Sequence, residues 1–166
     1  IVRKVIMAGF DTYAWLMKSE PSEVSVDDVL AMEGSKVGWF GVRNYQARNF
    51  MRDKCKIDDP VLFYHSSCKE PGIVGIGRIA SKPYPDPTQF DDHDEYYDPK
   101  ATPEKPRWVQ VDVQVLKKVK LVTLADLRAI PECADMAVLR KGNRLSITPV
   151  TEAQWNAIQK ILIDEA

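Results

Sequence analysis

The sequence predicts a single domain of the α+β class, because strand-like and helix-like patterns follow one another irregularly along it. Short apolar runs of strand length recur between turn-forming residues, and four positions carry helix-capping signals. No internal repeat or change in composition divides the 166 residues, and an apolar fraction of 45% provides material for a core. We therefore expect one domain over residues 13–166, preceded by an N-terminal extension or cloning remnant over residues 1–12.

The first predicted elements are a strand and a capped helix. Residues 13–18 have the aromatic and aliphatic content of a strand. Ser25 can cap the helix that follows, with Asp28 three residues later acting as in a capping box. Residues 37–40 then predict a second, brief strand.

A polar run that begins with two aromatic residues follows this strand. Gly41 turns the chain after Trp39 and Phe40, and Asn44 is placed to cap a helix that continues to about Arg52. An aromatic face beside amide and guanidinium donors is what recognition of an unstacked nucleobase requires. Trp39 is therefore the first candidate for a stacking surface. Asn44 is a candidate for reading a base edge, because its amide offers a donor and an acceptor in one plane.

The middle of the chain predicts a β-hairpin followed by a loop. Apolar runs at 60–65 and 73–79 flank a turn segment that contains Ser, Pro and Gly. Gly75 and Gly77 alternate within the second run, which favours a bent strand of the kind that a barrel needs. Residues 84–105 carry several prolines and many carboxylates, so we expect a long acidic loop.

Valines at alternate positions between 109 and 115 predict the next strand. In a strand over 108–115 the valines would share one face, and Trp108 and Asp112 would point together to the other. Thr123 can cap a short helix after it, and residues 145–148 predict a last strand.

The final predicted element is a helix that begins after Thr151. Gln154 lies three residues later, which is the spacing of a capping box. Trp155, Ile158 and Leu162 follow at helical spacing, so they predict the face that packs on the core.

Composition restricts the classes of function. A formal net charge of -1 argues against a protein that holds long duplexes mainly through counterion release, because such domains are normally basic. Basic residues nevertheless cluster at 43–56 and 140–144, so local positive surfaces are expected there. Three widely separated cysteines predict reduced thiols in an intracellular protein. No apolar run approaches the roughly 20 residues of a membrane helix. The cysteines and histidines do not have the spacing of metal ligands, and we expect no cofactor.

Five segments in this order resemble the EVE domain, a member of the PUA-like superfamily that is related to the YTH domain. They are WLMKSEP (15–21), WFGVRNYQARN (39–49), LFYHSSCKEPGIVGI (62–76), PRWV (106–109) and LRKGNRLS (139–146). The resemblance implies a small mixed β-barrel with helices around it, which is non-catalytic and takes a flipped base in a cleft. EVE domains are associated with modified cytosine in DNA, and YTH domains with methylated adenine in RNA. We therefore expect a nucleic-acid partner with a modified base, with DNA favoured and RNA as the alternative.

The family pattern also implies which residues form the site. The strand ends and the glycine turn are expected to border the base-binding pocket, together with the first residue of the valine strand: Ser19, Trp39, Asn44, Tyr64, His65, Ser66 and Trp108. Basic residues near these positions are expected to contact the nucleic-acid backbone: Lys18, Arg43, Arg48, Arg140, Lys141 and Arg144. No metal ligand or catalytic residue is expected.

Two other functions fit parts of the sequence. His65, beside Ser66 and near Cys68, would be the base of an enzyme that acts on a nucleotide or a modified nucleic acid, although no third catalytic member is found. The acidic loop would be the docking surface of a protein-interaction module. Substrate turnover would favour the enzyme, and loss of partner binding on deletion of the loop would favour the interaction module. We expect a cytoplasmic location in a bacterium and a nuclear one in a eukaryote.

Overall fold

A six-stranded mixed sheet organises the protein in the computed structural model, which describes residues 12–165. The predicted extension over residues 1–12 lies outside the described residues, apart from Thr12. The strands of the molecule are β1 (Ala14–Ser19), β2 (Lys36–Gly38), β3 (Pro60–His65), β4 (Gly72–Ile79), β5 (Tyr84–Pro85), β6 (Val109–Gln110), β7 (Asp112–Thr123) and β8 (Ile147–Val150).

The large sheet has the order β2-β7-β4-β3-β1-β8, and β5 pairs separately with β6. The sheet curls into a half-barrel, which confirms the predicted α+β class. Register shifts in the β3–β4 and β4–β7 pairs show where the strands bend, and Gly75 and Gly77 both lie at these shifts. Pro149 is accommodated because β8 is an edge strand.

Short helices cover both faces of the sheet. They are α1 (Val26–Ala31), α2 (Tyr45–Asn49) with a π-helical turn after it (Phe50–Lys54), α3 (Leu124–Arg128) and α4 (Glu152–Gln159). Single turns of 3-10 helix lie at Glu33–Ser35, Pro87–Phe90, Pro131–Cys133 and Ala137–Leu139. The capping boxes predicted at Ser25 and Thr151 are confirmed, and Thr123 forms a third one with Asp126.

The central strands are buried on both faces, so their side chains divide between two apolar clusters. Trp15 of β1 and Phe63 of β3 point into one cluster, and α1 and α2 cover it. Leu16 and Leu62 point into the other, and α3 and α4 cover it. This alternation follows from the period of two residues along a strand.

In the region after β4, the structure differs from two predictions in where regular elements begin and end. The acidic loop is not structureless, because it contains β5 and a 3-10 turn, and Asp86 and Gln89 are fully buried in it. The predicted strand at 108–115 is interrupted at Val111 and then continues to Thr123. The lysines between 117 and 120 hid this continuation, because the strand bends there and its faces no longer alternate simply.

The β1 and β3 strands are parallel, with Ser19 opposite His65. Their carboxyl ends therefore meet at one edge of the sheet. In sheets that contain parallel strands, ligands commonly bind outside these carboxyl ends. The candidate site lies at this edge.

Candidate functional site

A cavity of about 420 Å³ opens at the carboxyl ends of β1 and β3. Its volume is in the range of small-ligand sites, roughly 300 to 1,000 Å³. Four segments line it: the end of β1 with the turn after it, the residues from β2 to the start of α2, the turn after β3, and the segment before β8. Tyr96 reaches it from the acidic loop. The predicted residues in its lining are Lys18, Ser19, Trp39, Arg43, Asn44, Ser66 and Arg144.

Ser19 and Ser66 form the floor where the two parallel strands end. The Ser66 backbone N–H donates to the Ser19 carbonyl oxygen at 3.0 Å. The Ser19 hydroxyl donates to the Val24 carbonyl oxygen at 2.6 Å, so its proton is committed and its oxygen can only accept. For the Ser66 hydroxyl we find no hydrogen bond within residues 12–165, so it remains free to donate.

Trp39 borders the cavity but is largely buried. Only 6% of the residue is exposed, and its ring packs edge-on against Phe63 with centroids 5.2 Å apart. Trp39 therefore offers less accessible surface for stacking than the sequence predicted. Phe40 and Tyr96 add aromatic surface to the lining, and their ring centroids lie 5.9 Å apart. Aromatic side chains from two separate parts of the chain thus line the cavity.

Asn44 both caps α2 and faces the cavity. Its side-chain oxygen accepts from the Ala47 backbone N–H at 3.0 Å, which confirms the predicted cap. The oxygen is thereby occupied. The amide nitrogen has no partner among the described residues, and it can donate to a ligand.

Arg43 holds the acidic loop against the cavity wall and is not free to bind phosphate. All five of its N–H donors are engaged: with Val42 and Asp86 through Nη1, with Thr88 and Tyr96 through Nη2, and with Tyr96 through Nε. The predicted contact of Arg43 with the nucleic-acid backbone would therefore require one of these hydrogen bonds to be exchanged. The Asp86 side chain is completely buried, with 0% exposed, so its charge requires a cationic partner. The sequence did not indicate which residue supplies that partner.

Gly41 allows Tyr96 to approach the cavity wall. It has a φ of 81°, and a Cβ atom there would lie 2.8 Å from the Tyr96 ring. Its N–H donates to the Asp86 carboxylate at 2.7 Å. The glycine turn predicted from sequence is confirmed, with a close approach as a second reason for it.

Tyr64 and His65 lie near the cavity but not in its lining. Tyr64 points into the second apolar cluster, because it alternates with Phe63 along β3. His65 accepts from the Val26 backbone N–H at its Nε2, at 3.0 Å, and so holds the first turn of α1. Burial lowers the pKa of His65. In this neutral ring Nδ1 carries the proton and Nε2 is occupied, so neither nitrogen is available as a general base.

Trp108 and Arg48 also lie outside the lining. The Trp108 indole N–H donates to the Asp98 carboxylate at 2.8 Å, and the ring stacks on Tyr45 with centroids 4.8 Å apart. Arg48 lies over the same Tyr45 ring and donates to the Arg107 carbonyl oxygen at 2.8 Å. Both residues brace the acidic loop, and the exposed Tyr45 is part of that surface.

Four basic residues remain at the cavity or beside it. Lys18 and Arg144 line it, and burial lowers the pKa of Lys18. Arg140 and Lys141 are exposed in the segment that leads to Arg144. Positive charge therefore occurs at the cavity, together with the carboxylates of Glu20 and Glu23, although the chain as a whole has a formal net charge of -1.

Glu20, Glu23 and Tyr96 are among the lining residues that were not predicted from the sequence. Glu20 and Glu23 come shortly after the end of β1, and this position could have indicated that they lie at the site. Tyr96 comes from the long acidic loop, in which no pattern in the sequence pointed to it.

Within the described range, no helix is both long and apolar enough to cross a membrane. No group of three or more His, Cys, Asp or Glu side chains in the same range is arranged to hold a metal ion.

Comparison with known proteins identifies the family. The family model described as the EVE domain matches residues 13–161. The chain belongs to the EVE domain family. Human thymocyte nuclear protein 1 is 38% identical over 161 residues, which cover 87% of this chain and 71% of the human protein.

Solved structures of related proteins confirm that this EVE domain has the expected PUA-like fold. A protein from Pseudomonas syringae is 46% identical, with a TM-score of 0.84 over 89% of this chain and 98% of the bacterial one. Human THYN1, crystallised in complex with DNA that contains 5-methylcytosine, is 38% identical, with a TM-score of 0.82 over 89% of this chain and 96% of the human one.

Proposed function

We propose that this EVE domain is a non-catalytic nucleic-acid-binding module that accommodates a flipped, modified cytosine of DNA in the cavity beside Trp39. The observation that carries the proposal is the human relative crystallised with 5-methylcytosine-containing DNA, whose fold extends over 89% of this chain. The cavity supports it independently, because it combines aromatic surface with uncommitted polar groups.

The proposed base contacts are those predicted residues that line the cavity. The base lies against Trp39, and the Asn44 amide and the Ser66 hydroxyl donate to its acceptor atoms. The Ser19 oxygen accepts from a donor of the base. Three other predicted residues do not contact the base in this proposal. They fix β3, α1 and the acidic loop, which form the cavity walls, and they are Tyr64, His65 and Trp108.

The energetics require contacts outside the cavity as well. Extracting a paired base costs a few kcal/mol, while stacking contributes about 1 to 3 kcal/mol per base and each hydrogen bond about 0.5 to 1.5 kcal/mol. After the cost of base extraction, these contributions leave only a small net free energy of binding. Phosphate contacts by Lys18, Arg140, Lys141 and Arg144 supply the remaining affinity in this proposal.

The relatives named thymocyte nuclear proteins support a nuclear location if the chain is eukaryotic. A cytoplasmic location in a bacterium remains part of the proposal.

The test is a titration of the protein into short fluorescent DNAs that differ at one position, which carries cytosine, 5-methylcytosine, 5-hydroxymethylcytosine or N6-methyladenine. We expect a modified cytosine to bind more tightly than cytosine, by roughly 5- to 100-fold, because one extra methyl group in a snug recess contributes about 1 to 3 kcal/mol. Equal affinity for all modified and unmodified bases would refute the proposal.

Two variants show whether the preference arises in the cavity. Trp39→Ala removes the aromatic wall, and we expect the preference to be lost. Because Trp39 also packs on Phe63, its substitution can unfold the protein. Asn44→Ser avoids this difficulty, since serine caps helices well but lacks the amide donor. We expect Asn44→Ser to keep the melting temperature and to weaken binding of the modified base by about 2- to 12-fold, as one hydrogen bond of about 0.5 to 1.5 kcal/mol is lost.

A further inference from the structure

Two carboxylates, Glu20 and Glu23, line the cavity in the part of the chain that the structure describes. The Glu23 carboxylate accepts a hydrogen bond from the Tyr96 hydroxyl at 2.8 Å. For the Glu20 carboxylate we find no hydrogen bond or ion pair within residues 12–165. The Glu20 backbone is nevertheless fixed, because its carbonyl oxygen accepts from the N–H groups of Glu23 and Val24, both at 2.9 Å. Glu20 thus has a fixed backbone and an exposed, unengaged carboxylate at the rim of the cavity, where the side chain can turn toward a bound base.

The Glu20 charge acts on the same aromatic wall as Glu23. The pKa of Tyr96 is raised by burial, by the hydrogen bond to Glu23, and by the charges of Glu23, Glu95 and Glu20. Asn44 also lines the cavity, with its amide nitrogen free to donate. The lining thus offers a strong acceptor and a donor to one ligand.

This pair of groups suits the edge of cytosine better than that of thymine. Cytosine carries an amino group at position 4, which donates, whereas thymine carries a carbonyl oxygen there, which accepts. The two bases are otherwise similar in shape, and 5-methylcytosine shares the 5-methyl group of thymine. Stacking and a methyl-sized recess therefore cannot separate 5-methylcytosine from thymine. A carboxylate can, because it accepts from the amine and repels the carbonyl oxygen.

We propose that Glu20 accepts a hydrogen bond from the exocyclic amine of the flipped base and thereby makes the cavity reject thymine. The inference rests on the proposed function, because it assigns a specificity-determining residue to the same cavity. It goes beyond that function in predicting discrimination at position 4 of the ring, where the methyl group plays no part.

The test compares two single-stranded DNAs that are identical except for one position, which carries 5-methylcytosine or thymine. Single strands are used so that the two ligands do not differ in the cost of breaking a base pair. We expect the unmodified protein to favour 5-methylcytosine by about tenfold or more, the range that one specific base-edge contact provides.

Glu20→Gln is the decisive variant, because it keeps the size of the side chain and replaces one acceptor oxygen by a donor. We expect the preference to fall to about twofold or less, mainly through tighter thymine binding, since the glutamine amide can donate to the thymine carbonyl oxygen. Glu20→Ala should weaken 5-methylcytosine binding and, because it removes the repelling carboxylate without adding a donor, strengthen thymine binding less than Glu20→Gln does. Glu33→Gln, at an exposed glutamate outside the cavity lining, is the matched control and should keep the original preference.

The outcomes separate this inference from the proposed function. If the unmodified protein prefers 5-methylcytosine to cytosine but binds thymine equally well, the role of Glu20 is wrong and the reader function stands. An unchanged preference in Glu20→Gln, or equal weakening of both ligands, also overturns the role of Glu20. Failure to prefer 5-methylcytosine over cytosine overturns the proposed function itself.

Discussion

At the scale of single residues, His65 shows how a polar side chain beside the site supports it without touching a ligand. Its Nε2 accepts from the Val26 backbone N–H, which has no partner of its own at the first turn of α1. The ring is partly buried, and burial is the main cause of its lowered pKa, with the Lys118 charge acting in the same direction and Asp27 and Asp28 opposing it. The folded protein therefore favours the neutral ring.

His65 gives the protein a pH-dependent stability with a defined direction. Its pKa is lower in the folded than in the unfolded protein, so the unfolded state binds more protons as the pH falls below about 6.5. The contribution of His65 is thus complete above that pH and is lost as the pH falls through the folded pKa. We expect the free energy of unfolding, measured in urea, to decrease in this window with a slope below about 1.4 kcal/mol per pH unit.

His65→Gln should reduce this slope, because glutamine keeps an acceptor but does not titrate. The matched control is His93→Gln, since His93 is exposed in the acidic loop. If His65→Gln has the same pH dependence as the unmodified protein, the described role of the ring is wrong.

Residue roles were predictable from sequence where local geometry determines them. Asn44 was recognised as a cap because its position before a helix is enough. Arg43 was assigned to phosphate, although all its donors bind the loop, because its partners Asp86, Thr88 and Tyr96 are distant in sequence. The hydrogen bond from Trp108 to Asp98 was not foreseen for the same reason, because Asp98 lies in a loop without a regular pattern.

At the scale of elements, the acidic loop is held to the domain by an ion pair with one buried partner. Asp86 accepts from Arg43 at 3.1 Å and from the Gly41 N–H, and it also binds both the N–H and the hydroxyl of Thr88. The loop in turn carries Tyr96 to the cavity. Detachment of the acidic loop from the domain would therefore also remove Tyr96 from the cavity wall.

We expect Arg43→Ala to lower the free energy of unfolding by about 3 kcal/mol, the lower part of the range for removing one partner of a buried ion pair, because Asp86 keeps its other donors. The loop over residues 87–107 should also become sensitive to protease before the rest of the domain. Arg52→Ala is the control, since the Arg52–Asp53 pair lies at the surface and should contribute little to the free energy of unfolding. Equal effects of the two substitutions would show that the Arg43–Asp86 ion pair does not hold the acidic loop to the domain.

Elements with strong local signals were predictable, and elements defined by long-range pairing were not. The capped helices and the β3–β4 hairpin lie where the sequence places them. The short β5 strand was missed, because Tyr84 and Pro85 pair with residues that follow the whole loop. The parallel pairing of β1 with β3 has no sequence signal in this chain and brought Ser19 and Ser66 together.

At the scale of the whole molecule, charge is nearly balanced while its distribution is uneven. The segment before β8 contributes Arg140, Lys141 and Arg144 at the cavity side, whereas residues 91–98 are rich in carboxylates. In the proposed complex, the basic segment holds the nucleic-acid backbone, and the acidic loop discourages contact on its own side.

We expect Lys141→Ala to weaken all DNA ligands alike and to lower the salt dependence of binding by about one unit of slope, because a phosphate contact carries no base information. Affinities measured from 50 to 300 mM salt provide the slope. Lys56→Ala is the control, since Lys56 is exposed before β3, at the end of that strand opposite to the cavity. A change in the preference for modified cytosine in Lys141→Ala would mean that Lys141 contacts the base.

The position of β1 between β3 and β8 has a consequence for synthesis of the chain on the ribosome. The partner of β1 on one side, β3, is synthesised soon after it, whereas the partner on its other edge, β8, is not available until residues 147–150 have emerged. Until then the nascent chain presents an unprotected apolar strand, which favours association with other chains. Ser146 immediately precedes β8 and lines the cavity with Ser19, so ligand binding begins only after nearly the whole domain has been translated.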